Sequence, residues 1–297
     1  MSINIKRSPN YVPGISRVLT KGSGGGINTR LPSAGGGEEF LPNSIPGLTL
    51  WLDANDLGTL SISGPTTVTA WADKSEAGFN ATTDSGTPTF SSSGGKNGVV
   101  FSNCRMYTNC IPATGAGGRT ILIVTSEASY SPVVASDAYI LHYGTSIGNA
   151  VWFGPAMNTG YGILNYRGSQ NVYGNHYTGG SSAETFESTE PGTHSEAKVI
   201  SCRYNGTVDA WKANNNSVGN KTVSLNTAVV WNYYIDWQPE GISLGSRICR
   251  VDPSIGPGPR DMCNSVKLHE VLVYDNSISD SDWTSAVNYL MSKWGVV

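Results

Sequence analysis

Residues 48–79, LTLWLDANDLGTLSISGPTTVTAWADKSEAGF, constrain the fold more than any other part of the chain. The opening LTLWLDAND alternates apolar and polar positions and ends on carboxylates, the pattern of a strand entering a turn. A second strand is expected over residues 67–72, after the connection Ser61-Ile62-Ser63-Gly64-Pro65, and it runs into Asp73-Lys74-Ser75. Trp51 and Trp71 hold equivalent places, each just ahead of an aspartate, Asp53 and Asp73. A large apolar body followed by a short hydrogen-bonding carboxylate suits a strand that packs into a core and then turns sharply.

The rest of the chain agrees with an all-β reading. Charged residues make up only 14 % of the 297, while 36 glycines and many Ser, Thr and Asn favour short strands joined by turns over helices. Eight Trp and fourteen Tyr supply the apolar area for a sizeable core, within the length of a single sandwich. Residues 98–101 read as a short strand, and TILIVT at 120–125 as a central strand buried on both faces. Strands are also expected at 139–143, 150–153, 197–204, 207–212, 229–236 and 241–245. Asn205-Gly206 marks a hairpin turn between two of them.

The C-terminal end changes period. After a strand at 266–274, Trp283, Ala286, Val287, Leu290 and Trp294 fall on one helical face. Ser279 is placed to cap the helix with Asp282 at the third position, and Gly295 to end it. One amphipathic helix on an otherwise all-β chain must dock its stripe on the sandwich.

Residues 1–37 are of another kind. They carry Lys6, Arg7, Arg17, Lys21 and Arg30 with no acidic residue, a charge of +5; with the whole chain at −3, the remainder carries −8. Two glycine clusters and three prolines leave no periodic pattern, so residues 1–45 are read as an extended basic arm, and 46–297 as the globular domain. Five dispersed cations without interleaved aromatics fall short of a nucleic-acid footprint. No run approaches the ~20 apolar residues that span a bilayer, and the N-terminus has no apolar signal-peptide core. The sequons at Asn80, Asn205, Asn215 and Asn220 are therefore read as a consequence of composition.

Of the five cysteines, Cys104 and Cys110 are close enough to bridge a short loop, and Cys249 and Cys263 flank a Pro/Gly loop. The odd Cys202 and the lack of any CxxC pair argue against a zinc ribbon or a strict disulfide framework, and the expectation is mostly reduced thiols.

LTLWLDAND, WADKS, GVVFSN, TILIVT, the hairpin RYNGTVDAW, ISLGSR and the closing HEVLVYDNSISDSDWTSAVNYLMSKWG together resemble concanavalin A-like lectin/glucanase domains. The likeness is to the laminin-G-like branch found in bacterial surface and phage virion proteins, and it covers roughly residues 46–297. The resemblance implies a jelly-roll sandwich of two antiparallel sheets with one C-terminal helix. It does not fix a function, because this fold carries lectins, hydrolases and adhesive modules.

Glucanases of this fold draw their acids from one strand as E-x-D-x-x-E, and no such motif occurs. Glu184, Glu187 and Glu190 lie in a polar segment read as a loop, and the strand at Tyr234–Glu240 lacks the acid pair. His142, His176, His194 and His269 are scattered, and no P-loop motif occurs. No enzymatic activity is expected, with a polysaccharide hydrolase as the remaining catalytic alternative. Asp53, Asp56 and Asp73 are calcium candidates, since the family often binds that ion and hard oxygen ligands on turns suit it.

Residues 154–182 form a Tyr/Asn-rich loop region. Tyr161, Asn165, Tyr166, Arg167, Asn171, Tyr173, His176 and Tyr177 are its candidate contact residues. Aromatic faces stack on sugar C–H surfaces while amides and guanidinium meet the hydroxyls, and the same mixture serves protein-binding loops. The leading expectation is a tailed-phage virion protein, made in the host cytoplasm without a signal peptide. Its arm would anchor it to the capsid shell or other virion proteins as an oligomeric decoration or cement. The alternative is a lectin-like module that binds a host-surface glycan.

Overall fold

The computed structural model describes residues 40–113, 117–127, 138–145, 159–165, 172–177, 183–187, 196–222, 241–249, 258–260 and 266–297. The basic arm and the strands expected at 150–153 and 229–236 lie outside them. The chain first runs through β1 (Leu48–Asp53), β2 (Leu60–Ser63), β3 (Thr67–Trp71), β4 (Ala81–Ser85), β5 (Thr89–Ser91), β6 (Gly98–Phe101) and β7 (Arg105–Thr108). Next come β8 (Arg119–Glu127), β9 (Ala138–Thr145), β10 (Thr159–Asn165), β11 (Val172–Tyr177) and β12 (Ala183–Glu187). The last strands are β13 (Lys198–Tyr204), β14 (Val208–Ala213), β15 (Asn216–Thr222), β16 (Ile242–Leu244), β17 (Arg247–Cys249), β18 (Gly258–Arg260) and β19 (Val266–Tyr274), followed by helix α1 (Asp280–Trp294).

All pairings among the described strands are antiparallel. One layer runs β1–β19–β8–β13–β14–β15. The other runs β2–β3–β4–β7–β16–β9–β10–β11–β12. Strands β5 and β6 carry the ladder from β3 across to the start of β19. The two layers bury a common core: Leu50, Leu52, Ile121, Ile123, Val271 and Val273 from the first meet Val68, Trp71, Met106, Leu141, Ile242 and Leu244 from the second.

The alternate residues of the first layer face the other way and are buried as well. Trp51, Leu122, Val124, Val199, Leu272 and Tyr274 pack with Trp283, Ala286, Val287, Leu290 and Trp294 of α1. This third layer explains the continuous apolar runs of β8 and β19, which follow from burial on both faces instead of alternation. The helix begins as its sequence requires. Ser279 Oγ accepts the Asp282 amide at 3.1 Å, and Gly295 closes the C-terminus at φ +57°. Two side chains fasten it to β13: the Trp283 indole donates to Ser201 Oγ at 3.0 Å, and Arg203 pairs with Asp280 at 2.5 Å.

Several expectations need correction. The segment at 154–182, read as a loop region, contains strands β10 and β11, and the polar stretch holding Glu184 and Glu187 is strand β12. Polar composition misled there, because an antiparallel sheet tolerates one polar face. The Ser61-Ile62-Ser63 connection belongs to strand β2, and β4, β5, β7 and β15 were not foreseen; all are polar or only a few residues long. Cys104 and Cys110, close enough in sequence to bridge, are free and buried, in line with the expectation of reduced thiols. Burial pushes the Cys110 thiol up to about 12, which keeps it protonated and unreactive. Cys263 lies outside the described residues.

If the helix is held by its buried stripe, Leu290→Ala should lower unfolding free energy by about 2–5 kcal/mol. Leu57→Ala, at a side chain that is 53 % exposed, should change it by less than about 0.5 kcal/mol. Urea unfolding of the two variants beside the parent checks the difference.

Candidate functional site

The candidate contact residues come together only in part. Strands β9, β10, β11 and β12 form consecutive antiparallel pairs and extend the second layer beyond β16. In this register Tyr161 stands opposite His176 and, on the other side, opposite Tyr143. Tyr173 stands opposite Leu164, and Asn165 opposite Val172. Tyr161 and His176 thus share a register row, whereas Tyr173 and Tyr177 hold positions of the opposite parity on β11. Tyr166, Arg167 and Asn171 belong to the connection between β10 and β11, outside the described residues. Strand β12 pairs with β11 alone among the described strands.

The calcium candidates are used differently from the expectation. Asp73 accepts four hydrogen bonds, from the Trp51, Ser75 and Phe79 amides and the Ser75 hydroxyl, at 2.8–3.0 Å. It is the organising carboxylate of its own turn. Asp53 and Asp56 share the Lys74 ammonium at 2.9 and 3.0 Å. These partners occupy the lone pairs a calcium ion would need, and among the described residues no group of three His, Cys, Asp or Glu is arranged to hold a metal.

The same region contains a charged cluster that the sequence reading missed. Glu270, on β19, is fully buried. Its Oε1 accepts the Trp51 indole N–H at 2.8 Å, and its Oε2 accepts that of Trp294 at 2.5 Å. The Lys293 ammonium lies 2.7 Å from Glu270 Oε2 and 2.9 Å from Asp53 Oδ2, joining the two carboxylates. Burial raises the Glu270 pKa despite Lys293, while Lys293 and Lys74 outweigh the desolvation of Asp53 and lower its pKa. The available signal was a lone carboxylate inside the apolar run VKLHEVLVY, placed on the side that faces the helix.

His269 is buried and hydrogen-bonded. Its Nε2 lies 2.8 Å from Ser126 Oγ and its Nδ1 2.6 Å from the Asn97 carbonyl oxygen. Donation from Nδ1–H to that carbonyl fixes the tautomer, so Nε2 accepts from Ser126. Desolvation brings the imidazole pKa down to about 4, which keeps it neutral. The neighbouring Lys267 ammonium is held by the Ser93 and Lys96 carbonyl oxygens, at 3.0 and 2.5 Å.

No family model matches the chain, and no curated protein matches it in sequence. Solved structures do match in fold. The binding domain of Botulinum neurotoxin serotype D superposes at TM-score 0.54 with 11 % identity, over 84 % of this chain and 52 % of that one. The binding domain of Paraclostridial Mosquitocidal Protein 1 gives 0.53 and 9 %, over 84 % and 53 %. The serotype D ligand binding domain in complex with N-acetylneuraminic acid gives 0.51 and 8 %, over 83 % and 52 %. The chain therefore spans about half the length of these neighbours. At such identities the likeness establishes the fold alone, a β-sandwich of the kind those binding domains have. None of the three is a virion protein, so the expected virion role draws no support from them.

Because the unfolded chain protonates His269 near its ordinary 6.5 and the folded chain only near 4, acidification across that window favours unfolding. The loss attributable to this residue should reach about 3 kcal/mol. Urea unfolding at several pH values should show a steeper decline for the parent than for His269→Gln between pH 6.5 and 4.

Proposed function

We propose that the chain is a glycan-binding module of the concanavalin A-like, laminin-G-like kind, acting by adhesion to a host-surface sugar and not by catalysis. The observation that carries this reading is the sandwich it shares with toxin binding domains, one of them in complex with N-acetylneuraminic acid. The composition of the β10–β11 hairpin supports it. Tyr161, Tyr173 and Tyr177 are interspersed with Asn165, Asn175 and His176 on adjacent strands, and Tyr166, Arg167 and Asn171 belong to the sequence that connects them. Tyrosine offers a rigid apolar face at low entropic cost, and amide and guanidinium groups match the paired hydroxyls of a pyranose. Arg167 provides the charge that an acidic sugar requires.

A glycan array probed with the intact chain should give hits, with sialylated structures among them. Tyr166→Ala combined with Tyr173→Ala should abolish those hits while leaving the far-UV circular dichroism unchanged. No binding by the intact chain would overturn the reading, and release of reducing sugar from polysaccharide would replace it with a hydrolase.

A further inference from the structure

The buried charges beneath the helix are arranged for a reaction among themselves. Lys293, near the C-terminal end of α1, places its Nζ 2.9 Å from Oδ2 of Asp53, the last residue of β1, and 2.7 Å from Oε2 of Glu270 on β19. Asp53 is nearly buried and Glu270 completely so. Two indole N–H groups, from Trp51 and Trp294, hold the Glu270 carboxylate in place. The Lys74 ammonium lies 2.9 Å from the same Asp53 oxygen, over the Trp51 ring. An amine, a carboxylate whose charge two ammonium groups offset, a positioned proton carrier and a cation beside the reacting oxygen therefore share one site beside Trp51 and Trp294. We propose that Lys293 and Asp53 join in an intramolecular isopeptide bond, with Glu270 as the proton shuttle and Lys74 as the oxyanion partner.

The chemistry balances within the cluster. The Lys293 ammonium passes a proton to Glu270, whose burial favours the neutral acid. The freed amine attacks Cγ of Asp53, and the oxygen that gains charge in the tetrahedral intermediate is met by Lys74, which its two aspartate partners keep protonated. Glu270 returns its proton to the departing oxygen, which takes the second proton from the nitrogen and leaves as water. One C–N bond forms and one C–O bond breaks, with no oxidant, metal or outside reagent. The neutral amide also removes two charges from a site where each carries a desolvation penalty. Held at hydrogen-bonding distance by the fold, the reactants have the proximity that makes an otherwise slow condensation effectively unimolecular.

The product would tie the first strand of the sandwich to the C-terminal helix, closing nearly the whole domain into a covalent loop. This inference is independent of what the module binds. Its test is the intact mass of the denatured full-length chain, followed by proteolysis and tandem mass spectrometry. The expected result is a mass one water below that of the sequence, and a branched peptide joining the segment of Asp53 to that of Lys293. Glu270→Gln, Lys293→Arg and Asp53→Ala should each show their full sequence mass and no branched peptide. A full sequence mass for the parent chain after prolonged incubation in its folded state would overturn the proposal, as would a water deficit that maps to any other pair of residues. The parent measurement decides the matter even if a variant fails to fold.

Discussion

The structure turns on a buried carboxylate, that of Glu270. A charge in an apolar interior is costly unless it is paired and hydrogen-bonded, and this one receives Lys293 and two indole N–H groups. Each partner comes from a different place: Trp51 from the first strand, Lys293 and Trp294 from the helix, and Glu270 itself from the last strand. Satisfying one anion therefore requires the two ends of the domain to meet. Removing either partner would leave an uncompensated charge, so the cluster specifies the docking of α1 more sharply than apolar contact alone.

The helix in turn explains the character of the sheet beneath it. A sandwich needs only one apolar face per sheet, yet β8 and β19 are buried on both. Leu122, Val124, Leu272 and Tyr274 serve the helix, while Ile121, Ile123, Val271 and Val273 serve the core between the layers. In the opposite layer, strands β10 to β12 are polar and tyrosine-rich in sequence. One sheet is thus buried on both sides at its centre, and the other is extended by the antiparallel strands β10 to β12.

Much of this was legible in the sequence because it depends on local rules. The cap at Ser279, the stop at Gly295 and the five-residue stripe of α1 follow from helical geometry and from the orphan groups at helix ends. The strands at β1, β3, β6, β8 and β19 are marked by apolar runs, and the Asn205-Gly206 turn by the positive φ of Gly206, +98°. Strands β10, β11 and β12 were hidden for the converse reason: rich in Gly, Asn, Thr and Glu, they share their composition with loops, and ladder pairing rather than residue type defines them.

Alone, the sequence determined the fold class, the single helix with its ends, and the residues of the helical stripe, since near-neighbour sterics and hydrophobic period decide each of these. It also marked Asp53 and Asp73 as turn-forming carboxylates. Only the tertiary structure decided what those carboxylates do. Asp73 closes its own turn, whereas Asp53 is drawn to Lys74, close in the chain, and to Lys293, from its far end. The tertiary structure alone likewise made Glu270 a buried hub and His269 a neutral imidazole. Charge state and partner depend on burial and on what long-range packing brings within about 3 Å, and no local pattern encodes that distance.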